Sequence, residues 1–384
     1  MMRFQFYERA ALGNVVWSLS IAALVSLLPN GALAQTPSTD NTLLRIIETA
    51  KSGGLQSGEI VLADRSGIRA DQAFGLADKE TGRINQRGAN WLWASVTKQI
   101  TAVLILQLVE EGKLSLEGTI SAYLPEFTGA YAKKITVKQL LQHVSGLPNP
   151  SETKENLDGV PEFYAQTKLN HSNFTQAIGF CSGAPKSKPD EKFEYNNCDY
   201  LVLGAILEKL SGKTFDELVS ERIATPLGLQ SLTSSSDRIA KRAIGYTTDG
   251  KRYPAINVTT FGASGALAGS ARDLAKFDLG LLNGKLVNSE SLATMWKGEP
   301  TLGYEALGVW SFPARLAGCN ESVKLIERRG DVAGIQVRNV IAPDQGRVLV
   351  IFSNDDTIDF GEVWQGKGLS FELLSIAFCS DNRQ

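Results

Sequence analysis

The chain has 384 residues, 43% of them hydrophobic and 21% charged, with a formal net charge of −2. That is enough apolar material for a large core, as one big domain or two intimate ones. The near-neutral balance, with no basic run or base-stacking motif, excludes nucleic acid as an expected partner.

The first 34 residues are expected to be an export signal. Arg3 and Arg9 precede the apolar run 15–28, and Ala32-Leu33-Ala34 fits a small-residue cleavage site before Gln35. An uncleaved anchor is the alternative, for which the run is short. Cleavage removes Arg3, Arg9 and Glu8 and leaves a net charge of −3. No later segment is long and apolar enough to span a bilayer, so a periplasmic or secreted protein without a stable membrane span is expected. In that oxidising setting the four cysteines are candidates for disulfides. Of three possible pairings, Cys181–Cys198 and Cys319–Cys379 are preferred, because each joins segments placed near one another below. Their spacing does not resemble a zinc site, the chain has two histidines, and neither a metal nor a cofactor is expected.

Along the mature chain, 38–51 reads as a helix closed by Gly53-Gly54. Residues 59–64 and 68–75 read as strands of a hairpin turning at Ser66-Gly67. Residues 99–111 read as a helix with an apolar stripe from Ile100, Val103, Leu104, Leu106 and Val109, stopped at Gly112. From 135 to 229 the pattern is mostly helical, interrupted by polar intervals at 149–160 and 186–192; 201–210 is a strongly apolar helix stopped by Ser211-Gly212. Another helix spans 271–282. Strand character returns at 323–327, 335–341 and 347–352, with a turn at Pro343-Asp344-Gln345-Gly346, and 368–378 closes the chain as an apolar helix. Strands at both ends with helices between predict an α+β fold, one sheet built from the two termini with a helical region inserted. The sheet part is placed at about 35–94 and 300–384, the helical part at about 95–299.

Three segments carry chemistry. Ser95-Val96-Thr97-Lys98 opens a helix, and residues three apart on a helix are neighbours, so the Lys98 amine can take the Ser95 proton. Free backbone N–H groups at the helix start suit a developing oxyanion. A second such tetrad, Ser151-Glu152-Thr153-Lys154, lies in a polar stretch that opens no helix and is read as chance. Tyr195-Asn196-Asn197 precedes the 201–210 helix. A tyrosine beside a cation can lose its proton below its usual pKa of ~10, and the Asn197 amide can donate to a substrate carbonyl while accepting from a lysine. Arg328-Arg329-Gly330-Asp331 follows the 323–327 strand. There Gly330 lets a substrate lie against the backbone, and the Asp331 N–H is a second candidate oxyanion donor.

These segments, with Glu110-Glu111-Gly112-Lys113-Leu114-Ser115-Leu116, Leu140 to Pro148 (LLQHVSGLP), Leu203 to Gly212 (LGAILEKLSG), Pro226-Leu227-Gly228-Leu229 and Ser270 to Ala275 (SARDLA), give the chain from about 60 to 354 its character. It resembles the serine β-lactamase and D-alanyl-D-alanine peptidase superfamily, nearest the class C β-lactamase-related group that also holds esterases and D-amino-acid amidases. The resemblance implies an antiparallel sheet flanked by helices with an all-helical subdomain, Ser95 as acyl-accepting nucleophile, Lys98 as its base, Tyr195 as proton shuttle, Asn197 as substrate-orienting amide, and the N–H groups of Ser95 and Asp331 as oxyanion hole. One departure stands out: Arg328 occupies a position that is usually Lys or His. Arginine stays protonated and relays no protons. Its expected roles are to lower the Tyr195 pKa and to grip a substrate carboxylate; Arg329 is expected to narrow the cleft, and Asp331 to add negative charge beside the oxyanion site.

The leading expectation is a secreted serine hydrolase acting on a small-molecule or peptide amide or ester. The alternative is a catalytically weak penicillin- or peptidoglycan-binding relative that acylates or binds without turnover. A Ser–His–Asp hydrolase on Gly262-Ala263-Ser264-Gly265-Ala266 narrowly misses the nucleophile-elbow pattern. Of the two histidines, His143 reads as structural and His171 as solvated.

Overall fold

The computed structural model describes residues 41–166, 172–234 and 242–379. The expected leader, its cleavage site and His171 lie outside them. Six strands form one antiparallel sheet: β1 (Gly58–Asp64), β2 (Gly67–Phe74), β3 (Trp310–Ala314), β4 (Val323–Val332), β5 (Ile335–Ala342) and β6 (Arg347–Ser353), in the order β2-β1-β6-β5-β4-β3. Strands from both ends of the chain meet where β1 pairs with β6, Ile60 opposite Ile351. This is the predicted α+β architecture.

Strands β1 and β6 carry apolar residues on both sides because both faces of the sheet are covered. Ile60, Leu62, Leu349 and Ile351 pack with Ile46 and Ala50 of helix α1 (Asn41–Ser52) and Leu373 and Ala377 of the closing helix (Leu369–Cys379). Val61, Ala63, Val348 and Val350 face the other way, into a core shared with the helical part. That core is built around α2 (Thr97–Glu110), α3 (Cys198–Ser211) and α4 (Ala271–Leu282). The stripe read for α2 underestimates its burial: every residue from Thr97 to Leu106 is buried. Such a helix is held by its whole circumference, which fixes what stands at its N-terminus. A buried polar knot adds direction. Asn339 of β5 donates to Gln99 Oε1 of α2 and to Asp278 Oδ1 of α4, both at 3.1 Å. Burial pushes the Asp278 carboxyl up to about 8, so at neutral pH it holds a proton.

Two expectations are corrected. The strand read as 323–327 runs on to Val332, so Arg328 to Asp331 lie within it rather than in a turn; the turn is at Ala333-Gly334, both at positive φ. Strand β3 escaped the reading because it carries Pro313, a residue that sheets tolerate at an edge, where β3 lies. The cysteines pair as preferred: disulfides join Cys181 to Cys198 and Cys319 to Cys379. Among the described residues no helix is long and apolar enough to cross a membrane.

Candidate active site

Ser95 is set by three consecutive constraints. Trp91-Leu92 pairs with Ala268-Gly269, and the Trp93 N–H donates to Leu267 O at 2.9 Å. Ala94 then takes φ +48°, a left-handed conformation that an L side chain adopts only when its surroundings force it. A single 3₁₀ turn (Ala94–Val96) runs into α2. Ser95 therefore stands one short turn before the α-helix, at the end where backbone N–H groups lack intrahelical partners. Across from it, β4 passes close. A Cβ on Gly330 would sit 2.6 Å from Trp93 O and 3.1 Å from Ala94 Cβ, so only glycine lets the strand approach the turn.

The hydroxyls and amines around Ser95 form one chain of hydrogen bonds. Lys98 is fully buried, and its Nζ lies 2.7 Å from Asn197 Oδ1, 2.7 Å from Ser264 O and 3.2 Å from Ser95 Oγ. Burial, reinforced by the Arg328 charge, holds its pKa well below the usual lysine value. A neutral amine has two hydrogens and one lone pair. In that form the two hydrogens would go to the two oxygens at 2.7 Å, and the lone pair would face Ser95 Oγ. From the other side the Tyr195 hydroxyl donates to Ser95 Oγ at 2.6 Å, and Arg328 Nη2 donates to the Tyr195 oxygen at 2.9 Å. Arginine only donates, so the chain runs from Arg328 to Tyr195 and from Tyr195 to Ser95 Oγ, on which Lys98 Nζ converges from the other side.

Three expectations change here. Burial raises the Tyr195 pKa and outweighs the lowering by Arg328, so the phenol keeps its proton. Arg328 does not reach the cleft. Its side chain is wholly buried, with Nε donating to Ser95 O at 3.1 Å, Nη1 3.5 Å from Glu305 Oε1, and the guanidinium stacked on Trp310 and Tyr195. A carboxylate gripped by it would have to displace the nucleophile's own support. Arg329 points to the opposite face of the sheet, where it is paired with Glu327 and Glu362, and leaves the cleft width unaffected. Asp331 lines the cleft rim together with Val332 and Ala333.

Asn197 accepts from Lys98 as read, but its Nδ2 donates to Tyr164 Oη at 2.7 Å. Tyr164 had no sequence signal. It is brought in by long-range packing, stacked on Phe261 at 4.0 Å between centroids, and its hydroxyl pKa is pushed up to about 12 by burial. Ser151, from the tetrad read as chance, lies 3.1 Å from the Tyr164 hydroxyl and lines the same cleft, which encloses about 240 Å³. Glu305 is also new. It is completely buried beside Arg328, and burial pushes its carboxyl up to about 8 against the pull of Arg328 and Lys98. His143 is structural: its Nδ1 lies 2.9 Å from Asp199 Oδ2, and its ring packs 4.4 Å from that of Tyr195. Ser264 is buried with its hydroxyl donating to Phe261 O, which leaves it no nucleophilic role.

The beta-lactamase family model matches residues 44–365. A Bacillus subtilis protein described as "Putative penicillin-binding protein PbpX" is 25% identical over 303 residues, covering 78% of this chain and 70% of that one. Protein flp of Staphylococcus aureus is 27% identical over 206 residues, 52% of this chain, and the match spans only 39% of flp. Among solved structures, the D-amino acid amidase of Ochrobactrum anthropi SV3 superposes with a TM-score of 0.74 at 19% identity, covering 90% of this chain and 99% of the amidase. A penicillin-binding protein from Bacillus halodurans does so at 0.67 and 22%, covering 86% and 98%. With the match spanning both the Ser95 turn and strand β4, the chain belongs to the beta-lactamase family.

Proposed function

We propose that the protein is an exported serine hydrolase that transfers the acyl group of an amide or ester to Ser95 Oγ and releases it to water. The observation that carries this reading is the chain of contacts from Arg328 through Tyr195 to Ser95 Oγ, 3.2 Å from the Nζ of a buried Lys98 whose pKa is held well below the usual lysine value. Ser95 Oγ attacks the carbonyl carbon as Lys98 takes its proton. The carbonyl oxygen becomes an oxyanion facing the N–H groups of Ser95 and Asp331. Tyr195, a protonated phenol, gives its proton to the departing nitrogen or oxygen and is replenished from the Lys98 ammonium as the site resets. Water then attacks the ester carbonyl, and one of its protons returns to Ser95 Oγ as the acid leaves.

D-amino-acid peptides, amides or esters are the substrate class we favour, supported by the likeness to the Ochrobactrum amidase and to penicillin-binding proteins. Beyond Glu327 strand β4 has no paired strand on the β3 side among the described residues, since their pairing ends at Trp310 opposite Glu327. An extended peptide laid along that edge would present its carbonyl to Ser95. Two disulfides support export to an oxidising compartment.

A second reading rests on Arg328. If the missing proton relay slows the water step, the protein acylates and stalls as a penicillin-binding protein does. Intact-protein mass spectrometry after exposure to a penicillin and, separately, to an activated short-chain ester separates the two. A Ser95-dependent adduct that decays with product release is expected; a stable adduct establishes the stalled form, and none from either rejects the acyl-enzyme.

A further inference from the structure

On the sheet face opposite Ser95, at the β3 edge, lies a second cleft of about 440 Å³ that shares no lining residue with the first. Its walls are the aromatic rings of Tyr304, Trp310, Phe312 and Trp364. Two of them are open to water although they are large and apolar: Trp364 is 64% exposed and Tyr304 38%. Single exposed aromatics are ordinary, but four converging on one cavity are not scattered surface. Tyr304 is moreover held at φ +66°, with its backbone pinned by Tyr304 N donating to Glu299 O at 2.9 Å and Ser311 N donating to Tyr304 O at 3.0 Å. Phe312 meets Trp364 edge to face, with centroids 6.1 Å apart, so the exposed indole is braced.

The polar side of the cleft is an ion-pair cluster. Arg329 is clamped between two carboxylates, Nε and Nη2 on Glu327 at 2.8 and 3.1 Å, and Nη1 and Nη2 on Glu362 at 2.8 and 2.6 Å. These groups carry a net charge of −1, and the guanidinium lies 5.6 Å from the Trp364 ring centre. An anion is repelled by that balance. A wholly apolar ligand would strip water from three charged groups without replacing its hydrogen bonds. A cation would be set beside the Arg329 charge. A sugar ring meets both sides. The C–H face of a pyranose lies flat on an indole, and its equatorial hydroxyls donate to carboxylates and accept from a guanidinium in the plane of the ring.

We propose that this cleft is a second ligand site, separate from the catalytic one, that binds a pyranose ring of an oligosaccharide between Trp364 and Tyr304 with its hydroxyls on Glu327, Arg329 and Glu362. The site does not depend on the hydrolase reading, since its occupancy is measured without turnover. The test is isothermal titration calorimetry of the whole mature chain with cellotriose, maltotriose and chitotriose, and with choline chloride as a cationic comparator. At least one trisaccharide is expected to bind saturably. Trp364→Ala should weaken that binding by about tenfold or more by removing the stacking face. Because Trp364 is largely exposed, the variant should keep the wild-type melting temperature. Ser95→Ala should bind the sugar as wild type does. The proposal is overturned if no trisaccharide binds, if Trp364→Ala binds equally well, if Ser95→Ala abolishes binding, or if choline binds and the sugars do not.

Discussion

The chain contains the same tetrad pattern twice, and the two copies show what turns a spacing into a site. Ser95 and Lys98 stand on a turn that runs straight into a buried helix, so the three-residue spacing becomes 3.2 Å between Oγ and Nζ. Ser151 and Lys154 have the same spacing, but the 3₁₀ turn ends at Glu152 and Thr153 is extended, at φ −66° and ψ 156°. The lysine is therefore thrown out of reach and left exposed. Burial does the rest. It holds the Lys98 pKa well below the usual lysine value, whereas Lys154 is exposed. Yet the second serine is not idle, since through Tyr164 it touches the Asn197 amide that holds Lys98.

Breaking the first tetrad should have the largest effect. Ser95→Ala is expected to remove the acyl adduct altogether and cut turnover by at least about 10⁴-fold, which mass spectrometry and an ester assay check together. Lys98→Ala follows, with a loss of roughly 10³-fold in acylation. The wild-type acylation rate should fall as pH drops through the depressed Lys98 pKa, because the ammonium has no lone pair to accept the serine proton. A pH–rate profile that stays flat down to the carboxylate range would move the base elsewhere. Tyr195→Phe should cost roughly 10²-fold on amides and less on activated esters, whose leaving groups need no proton; an equal loss on both would argue against the acid role. Ser151→Ala sharpens the contrast. A loss below about tenfold is expected, since it removes the Tyr164 contact and a long 3.5 Å contact from Asn197 Nδ2. Lys154→Ala should change nothing measurable in either assay, and a clear loss there would mean that the second tetrad is catalytic after all.

What was legible in the sequence was local. The hairpin and the strands at 335–341 and 347–352 announce themselves by β-branched runs between turn residues, and the two short motifs around Ser95 and Tyr195 by fixed offsets. Two elements were lost to their composition: β3 behind its proline, and the second half of β4 behind two arginines, a glycine and an aspartate that alternate between a buried site face and a paired outer face. Tyr164, Ser151 and Glu305 were illegible for another reason. They reach the site across 33, 46 and 23 residues of chain from Asn197, Asn197 and Arg328 respectively, and no offset encodes such a meeting. The state of Tyr195 was misjudged because its neighbouring charge can be guessed from sequence, whereas its burial cannot.

Strand β3 has only five residues, and that brevity has a consequence for how the molecule keeps to itself. A bare sheet edge invites pairing with any extended chain, including another copy, and long flat edges seed aggregation. Here the unaccompanied length of β4 is just Arg328 to Val332, it carries an exposed charge at Asp331, and the sharp turn at Ala333-Gly334 ends it. That is long enough for a few residues of one guest peptide and too short and too charged to template a second protein. The truncation of one neighbour thus leaves β4 a short, charged open edge close to the Ser95 turn.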